Sequence, residues 1–213
     1  KLGFLLGYSG KHIHIPIELI QQAESMGYDS VWTAEAYGND AVTSAAYVLA
    51  QTSKIRVGTA IMQMPARTPA MCAMTAMSLD QLSDGRFIVG LGASGPQVVE
   101  GWHGVPYGKP VTRTKEYIQI MRKIFEREGP VEFDGQMYQM PNQSEGTTGL
   151  GKPLKSILAA TEIPIYTASI TPAGLRCAGE VADGVFPVWM DPNKYDVLGE
   201  SIEQGFEKAG NGK

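Results

Sequence analysis

The chain has 213 residues, of which 43% are hydrophobic and 19% charged, with a formal net charge of -4. This composition can bury a full core and excludes a disordered chain, while the acidic balance and the lack of long basic runs argue against nucleic-acid or anionic-membrane partners. The two cysteines, Cys72 and Cys177, fall in helix-like stretches and read as buried free thiols of a cytoplasmic protein.

In chain order, the apolar run 2–8 predicts a first strand. Residues 15–27 then predict a helix with Ile17, Ile20 and Ala23 on one face, stopped by Gly27. A second strand is predicted at 30–35, followed by a helix with an apolar stripe of Val42, Ala45, Ala46 and Leu49. The third strand spans 55–64 and the third helix 68–85, with Thr68 as N-cap and Pro69 at the first helical position. Met71, Met74 and Met77 read as packing residues of that helix. A fourth strand at 86–94 precedes a fourth helix at 111–126, where Tyr117, Met121, Ile124 and Phe125 share a face. An irregular insertion follows at 129–160, with a hairpin whose turn is predicted at Asp134-Gly135. The alternation resumes with a strand at 163–169, a helix at 171–183 started by Thr171 and Pro172, a sixth strand over "GVFPVWM" and a last helix.

Six strand-helix units in strict alternation predict a parallel sheet covered by helices, either an open doubly wound sheet or a (β/α)8 TIM barrel. Gly90, Gly92 and Gly95 have the spacing of a dinucleotide fingerprint. They follow the fourth strand rather than the first, however, and Pro96 comes directly after Gly95. The better reading makes Gly90 and Gly92 strand glycines that allow close approach to a flat ligand. In a barrel the site lies at the C-terminal strand ends. Those ends read Tyr8 and Ser9, Ala34 and Glu35, Thr59 to Ile61, Ala93 to Gly95, Thr167 to Ser169, and Val188 and Trp189. Small neutral residues dominate, without metal-ligand spacing or a nucleophile-base pair, so a cofactor is expected to supply the chemistry. Thr171 serves either as a plain cap or as part of a phosphate site. His12, His14 and His103 read as loop residues, solvated or part of a substrate lid, and Trp102 and Trp189 as pocket walls or core.

The stretches "YDSVWTAEAYGNDA", "GTAIMQMPARTPAM", "GLGASGPQVVEGWHG" and "AGEVADGV" resemble the luciferase-like monooxygenase family. Within it they look like the branch of coenzyme F420-dependent oxidoreductases similar to methylenetetrahydromethanopterin reductase. The resemblance implies a luciferase-like TIM (β/α)8 barrel. It implies hydride transfer between F420 and an unidentified small organic substrate, in a homo-oligomer. An FMN-dependent monooxygenase and a non-catalytic cofactor-binding relative are the alternatives. It places the cofactor against Glu35, which is either a proton relay or a structural carboxylate, and against a third-strand bulge at Thr59, Ala60 and Ile61 with a cis peptide between the last two. Gly92, Ala93, Ser94 and Gly95 would lie beside the ring or its ribityl chain, and Ala168, Ser169 and Thr171 toward the phosphate. It assigns no catalytic residue and no metal. The histidine and glutamate of the family's sugar-phosphate dehydrogenases are replaced here by Ala36 and Gly95, which argues against that substrate. Residues 1–213 thus form a single incomplete barrel domain with six of the eight units a closed barrel needs. The expectation is that the protein continues past residue 213 or that a partner chain covers the edge strands.

Overall fold

The computed structural model describes residues 1–8, 10–188 and 190–210; the strand-end positions Ser9 and Trp189 lie outside the described residues. Strands β1 (Gly3–Leu5), β2 (Ser30–Thr33), β3 (Arg56–Thr59), β4 (Met62–Gln63), β5 (Phe87–Gly92), β8 (Ile165–Ala168) and β9 (Gly184–Phe186) form one sheet; β6 (Phe133–Asp134) and β7 (Gln139–Met140) form a separate hairpin. The helices are α1 (Ile17–Ser25), α2 (Ala41–Gln51), α3 (Pro69–Leu82), α4 (Pro96–Gly101), α5 (Pro110–Glu126), α6 (Pro172–Val181) and α7 (Asp196–Ala209).

The large sheet is parallel throughout, in the order β1-β2-β3-β5-β8-β9, with β4 also on β5. Each new strand joins the same side of the one before, as in a barrel; a doubly wound sheet would reverse direction partway. The sheet also curls. Trp32 on β2 and Phe186 on β9 are four strand steps apart, about 19 Å in a flat sheet. Their ring centroids nevertheless lie 5.0 Å apart, with Tyr166 of β8 5.8 Å from Trp32 and 5.5 Å from Phe186. The three rings fill the concave side, and Gly58 makes room for them, because a Cβ there would stand 2.2 Å from the Trp32 ring. The convex side presents Val31, Val57, Val89 and Ile165 to a helix layer that includes Val48, Met77, Ile118 and Phe125, all buried.

The helix starts follow local chemistry. Asp40, Thr68 and Thr171 accept hydrogen bonds from the N–H groups of Thr43, Met71 and Gly174, and Pro69 and Pro172 occupy first-turn positions where no N–H is needed. Three local expectations are corrected. In α2 the buried face is Ala41, Ser44, Ala45, Val48 and Leu49, with Val42 and Ala46 half-buried, since small apolar residues all round this helix leave the phase of its stripe to tertiary packing. In α3 only Met77 of the three methionines is buried; Met71 and Met74 face solvent. The hairpin turn is not Asp134-Gly135 but residues 135–138, because the Glu116 carboxylate of α5 accepts the N–H groups of Gln136, Met137 and Tyr138 at 2.8, 2.9 and 3.1 Å. Short α4 was not foreseen in the sequence.

Strand three is interrupted as expected. The peptide between Ala60 and Ile61 is cis. Val57 and Gly58 pair with Phe87 and Ile88, whereas Met62 and Gln63 pair with Leu91 and Gly92, so strand three carries one extra residue between them.

Candidate functional site

A cavity of about 490 Å³ opens at the C-terminal ends of the strands, within the size range of small-molecule sites. Of the residues proposed from sequence, Glu35, Ile61, Gly92, Ala93, Ser94, Ala168, Ser169 and Thr171 line it. Thr59, Ala60 and Gly95 do not. Thr59 is fully buried, its hydroxyl donating to Gly90 O at 2.8 Å and accepting from Gly90 N at 2.9 Å. Gly95 is the N-cap of α4.

The strand glycines therefore answer first to the bulge. A Cβ on Gly90 would lie 1.6 Å from the Thr59 carbonyl oxygen, and one on Gly92 would lie 2.6 Å from Ile61 Cδ1. Close approach is the reason for both, as the sequence suggests, but the approaching groups belong to strand three. Gly92 still borders the cavity, and Ser94 beyond it holds a left-handed φ of 60°.

Glu35 is the one charged side chain among the described lining residues, and it is fully engaged. Its side chain is 8% exposed and accepts from Arg67 Nη1 and Nη2 (both 2.8 Å), Gln63 N (2.9 Å) and Ala41 N (3.1 Å). Arg67 also pairs with Asp40. Burial by itself would lower the Arg67 pKa, but the Glu35 and Asp40 carboxylates outweigh it and raise it, so the guanidinium stays charged. Four donors already occupy the two oxygens of this buried carboxylate. Of the two roles open in the sequence, the geometry supports the structural one: Glu35 ties the end of β2 to the ends of β3–β4 and the start of α2.

One end of the cavity is formed by Ser169, Ile170, Thr171 and Gly174 around the N-terminus of α6, where the helix dipole favours an anion. Tyr107, Pro110, Val111 and Thr114 from the segment leading into α5 form another wall, with Cys177 of α6 behind them. Sequence reading missed this wall. The signal was available in "GVPYGKP", an aromatic residue bracketed by Gly104 and Gly108, which both hold left-handed φ values. Burial pushes the Cys177 thiol up to about 11, so it serves as apolar wall rather than nucleophile.

His12 and His14 are exposed, and Trp102 is 66% exposed, neither core nor cavity wall. His103 is half-buried, with its Nε2 3.0 Å from Gln63 Oε1. Among the described residues, no cluster of three or more His, Cys, Asp or Glu could hold a metal ion, and no helix is long and apolar enough to cross a membrane.

Residues 5–213 match the family model described as luciferase-like monooxygenase. The chain is 46% identical over 213 residues to a Mycobacterium tuberculosis protein named as a coenzyme F420-dependent oxidoreductase, covering 99% of this chain and 61% of that protein. It is 34% identical over 189 residues to the 5,10-methylenetetrahydromethanopterin reductase of Methanolobus tindarius, covering 88% of this chain and 54% of the enzyme. The solved coenzyme F420-dependent tetrahydromethanopterin reductase of Methanopyrus kandleri superposes with a TM-score of 0.78 at 26% identity, over 98% of this chain and 61% of that one. The chain thus spans about three-fifths or less of the length of these relatives.

Proposed function

This chain belongs to the luciferase-like monooxygenase family, and from that premise we propose that it is an oxidoreductase moving a hydride between deazaflavin coenzyme F420 and a small organic substrate. The observation that carries the reading is the lining of the cavity: small neutral residues from the ends of β5 and β8, a helix N-terminus at one end, and a single carboxylate already saturated by donors. Such a site offers shape, hydrogen bonds and an anion subsite rather than an acid, a base or a nucleophile. The names carried by the mycobacterial and archaeal relatives point the same way.

Bound F420 would supply the hydride chemistry. The chain's own residues would do the rest. Gly92, Ala93 and Ser94 would let a flat ring lie close to the backbone, with Ile61 behind it. Ser169, Thr171 and the first turn of α6 would hold a phosphate. Ala36, Tyr107 and Val188 would bound the substrate side and exclude water.

Titration of the protein with F420 and, in parallel, with FMN, each followed by visible absorbance, tests this. Saturable F420 binding with weaker FMN binding is expected. Tight FMN binding with no F420 binding would replace the reading with an FMN-dependent monooxygenase.

A further inference from the structure

Gln63 is 1% exposed and sits at the end of β4. Its side-chain Nε2 donates to Ala36 O beyond β2, which turns Oε1 toward His103. An amide oxygen only accepts, so the His103 ring must carry its proton on Nε2 and donate at 3.0 Å. The Gln63 main-chain N–H meanwhile donates to Glu35. One buried residue thus connects the Glu35–Arg67 network, the residue after Glu35, and a loop 40 residues further along.

That loop is the segment between α4 and α5. Within it Val105 N donates to Val99 O (3.2 Å), Tyr107 N to Glu100 Oε1 (3.1 Å), and Pro106 O accepts from Arg113 Nη2 (2.9 Å). These bonds tie the segment to its own flanking helices. The His103–Gln63 bond ties it to the sheet. Between Gly104 and Gly108, both left-handed, lies Tyr107, a wall of the cavity.

We propose that His103 is a positioning residue: through Gln63 it docks the 102–109 segment on the end of β4 and so sets Tyr107 as a wall of the ligand cavity. The ligand half of this inference rests on the F420 reading; the docking half does not.

The test compares the full chain with His103→Ala and His103→Gln. A glutamine can restore an N–H donor to Gln63 Oε1; alanine cannot. Hydrogen-deuterium exchange should be about fivefold to tenfold faster at 103–107 in His103→Ala, the factor that losing one hydrogen bond gives, with the strands unchanged. F420 should bind weaker by a similar factor while the Tm falls by only the few degrees that losing one hydrogen bond gives, and His103→Gln should recover most of these effects. Unchanged exchange in a folded His103→Ala variant would overturn the docking. Faster exchange with unchanged F420 affinity would overturn Tyr107's place in the ligand wall. If wild type binds no F420, the functional reading fails, and the exchange comparison still decides the docking.

Discussion

Thr59 and Gly90 are locked together by three features of one contact. The Thr59 hydroxyl donates to the Gly90 carbonyl and accepts from the Gly90 N–H, while the Thr59 carbonyl oxygen occupies the space a Cβ on Gly90 would need. The contact holds the bulged third strand against β5 directly beneath the cavity.

Gly90→Ala should therefore be severe. Its Cβ would meet backbone, which cannot rotate away, so a loss of about 3 kcal/mol or more, or failure to fold, is expected by denaturant melting. Gly92→Ala meets only the Ile61 side chain and should cost about 1–2 kcal/mol. It should also push Ile61 toward the cavity and weaken ligand binding. Equal stability of the two variants would show that the bulge can shift to admit a side chain.

Arg67→Met would leave Glu35 buried with its two main-chain donors but no cation. Removing one partner of a buried pair costs about 3–5 kcal/mol. Glu35→Gln keeps one amide oxygen, which can accept from Ala41 N or from Gln63 N but not from both, since these bond different carboxylate oxygens; it leaves Arg67 its Asp40 partner and should lose less. A folded Glu35→Gln protein that binds F420 normally yet shows no turnover would instead restore the proton-relay role.

Acid should destabilise the fold in a defined window. Burial alone would raise the pKa values of Glu24, Asp29, Asp40 and Glu180, but hydrogen bonds and cations outweigh it and hold each below its ordinary value. For Glu24 the donors are the N–H groups of Ser53, Lys54 and Ile55; for Glu180 they are Lys115 and Lys208. A carboxyl with a depressed folded pKa contributes fully above its unfolded value, about 4, and that contribution is lost as pH falls through the folded value. The Tm should be nearly flat from pH 7 to about 5 and then drop. Glu24→Gln should start lower and show a shallower drop; an identical acid profile would remove Glu24 from this account.

Both thiols should be inert in the native protein. Burial pushes Cys72 and Cys177 each up to about 11. A thiol reagent near neutral pH should label neither until denaturant is added, when both should react. Rapid native labelling of Cys177 would mean that the wall between Val111 and α6 opens.

Thr68 and Thr171 announced their helices because a capping hydroxyl meets an N–H three residues on, and Tyr117, Met121, Ile124 and Phe125 announced a buried face because helical period is local. The parallel sheet follows from the same local alternation, whereas its barrel-type order, which alternation leaves open against a doubly wound sheet, came from family resemblance. The bulge at Ala60-Ile61 and eight of the residues lining the cavity were legible through family resemblance. Tertiary structure alone decided the rest, where one residue's role is set by a partner some 30 or 40 positions away. Glu35 is a clasp rather than an open carboxylate because Gln63 and Arg67 arrive from the next strand's end. Gly90 is a glycine because a distant carbonyl fills its side-chain space. His103 has a role only because Gln63 faces it across 40 residues. No periodicity records such pairings, since sheet curl and register bring their partners together only after the local elements have formed.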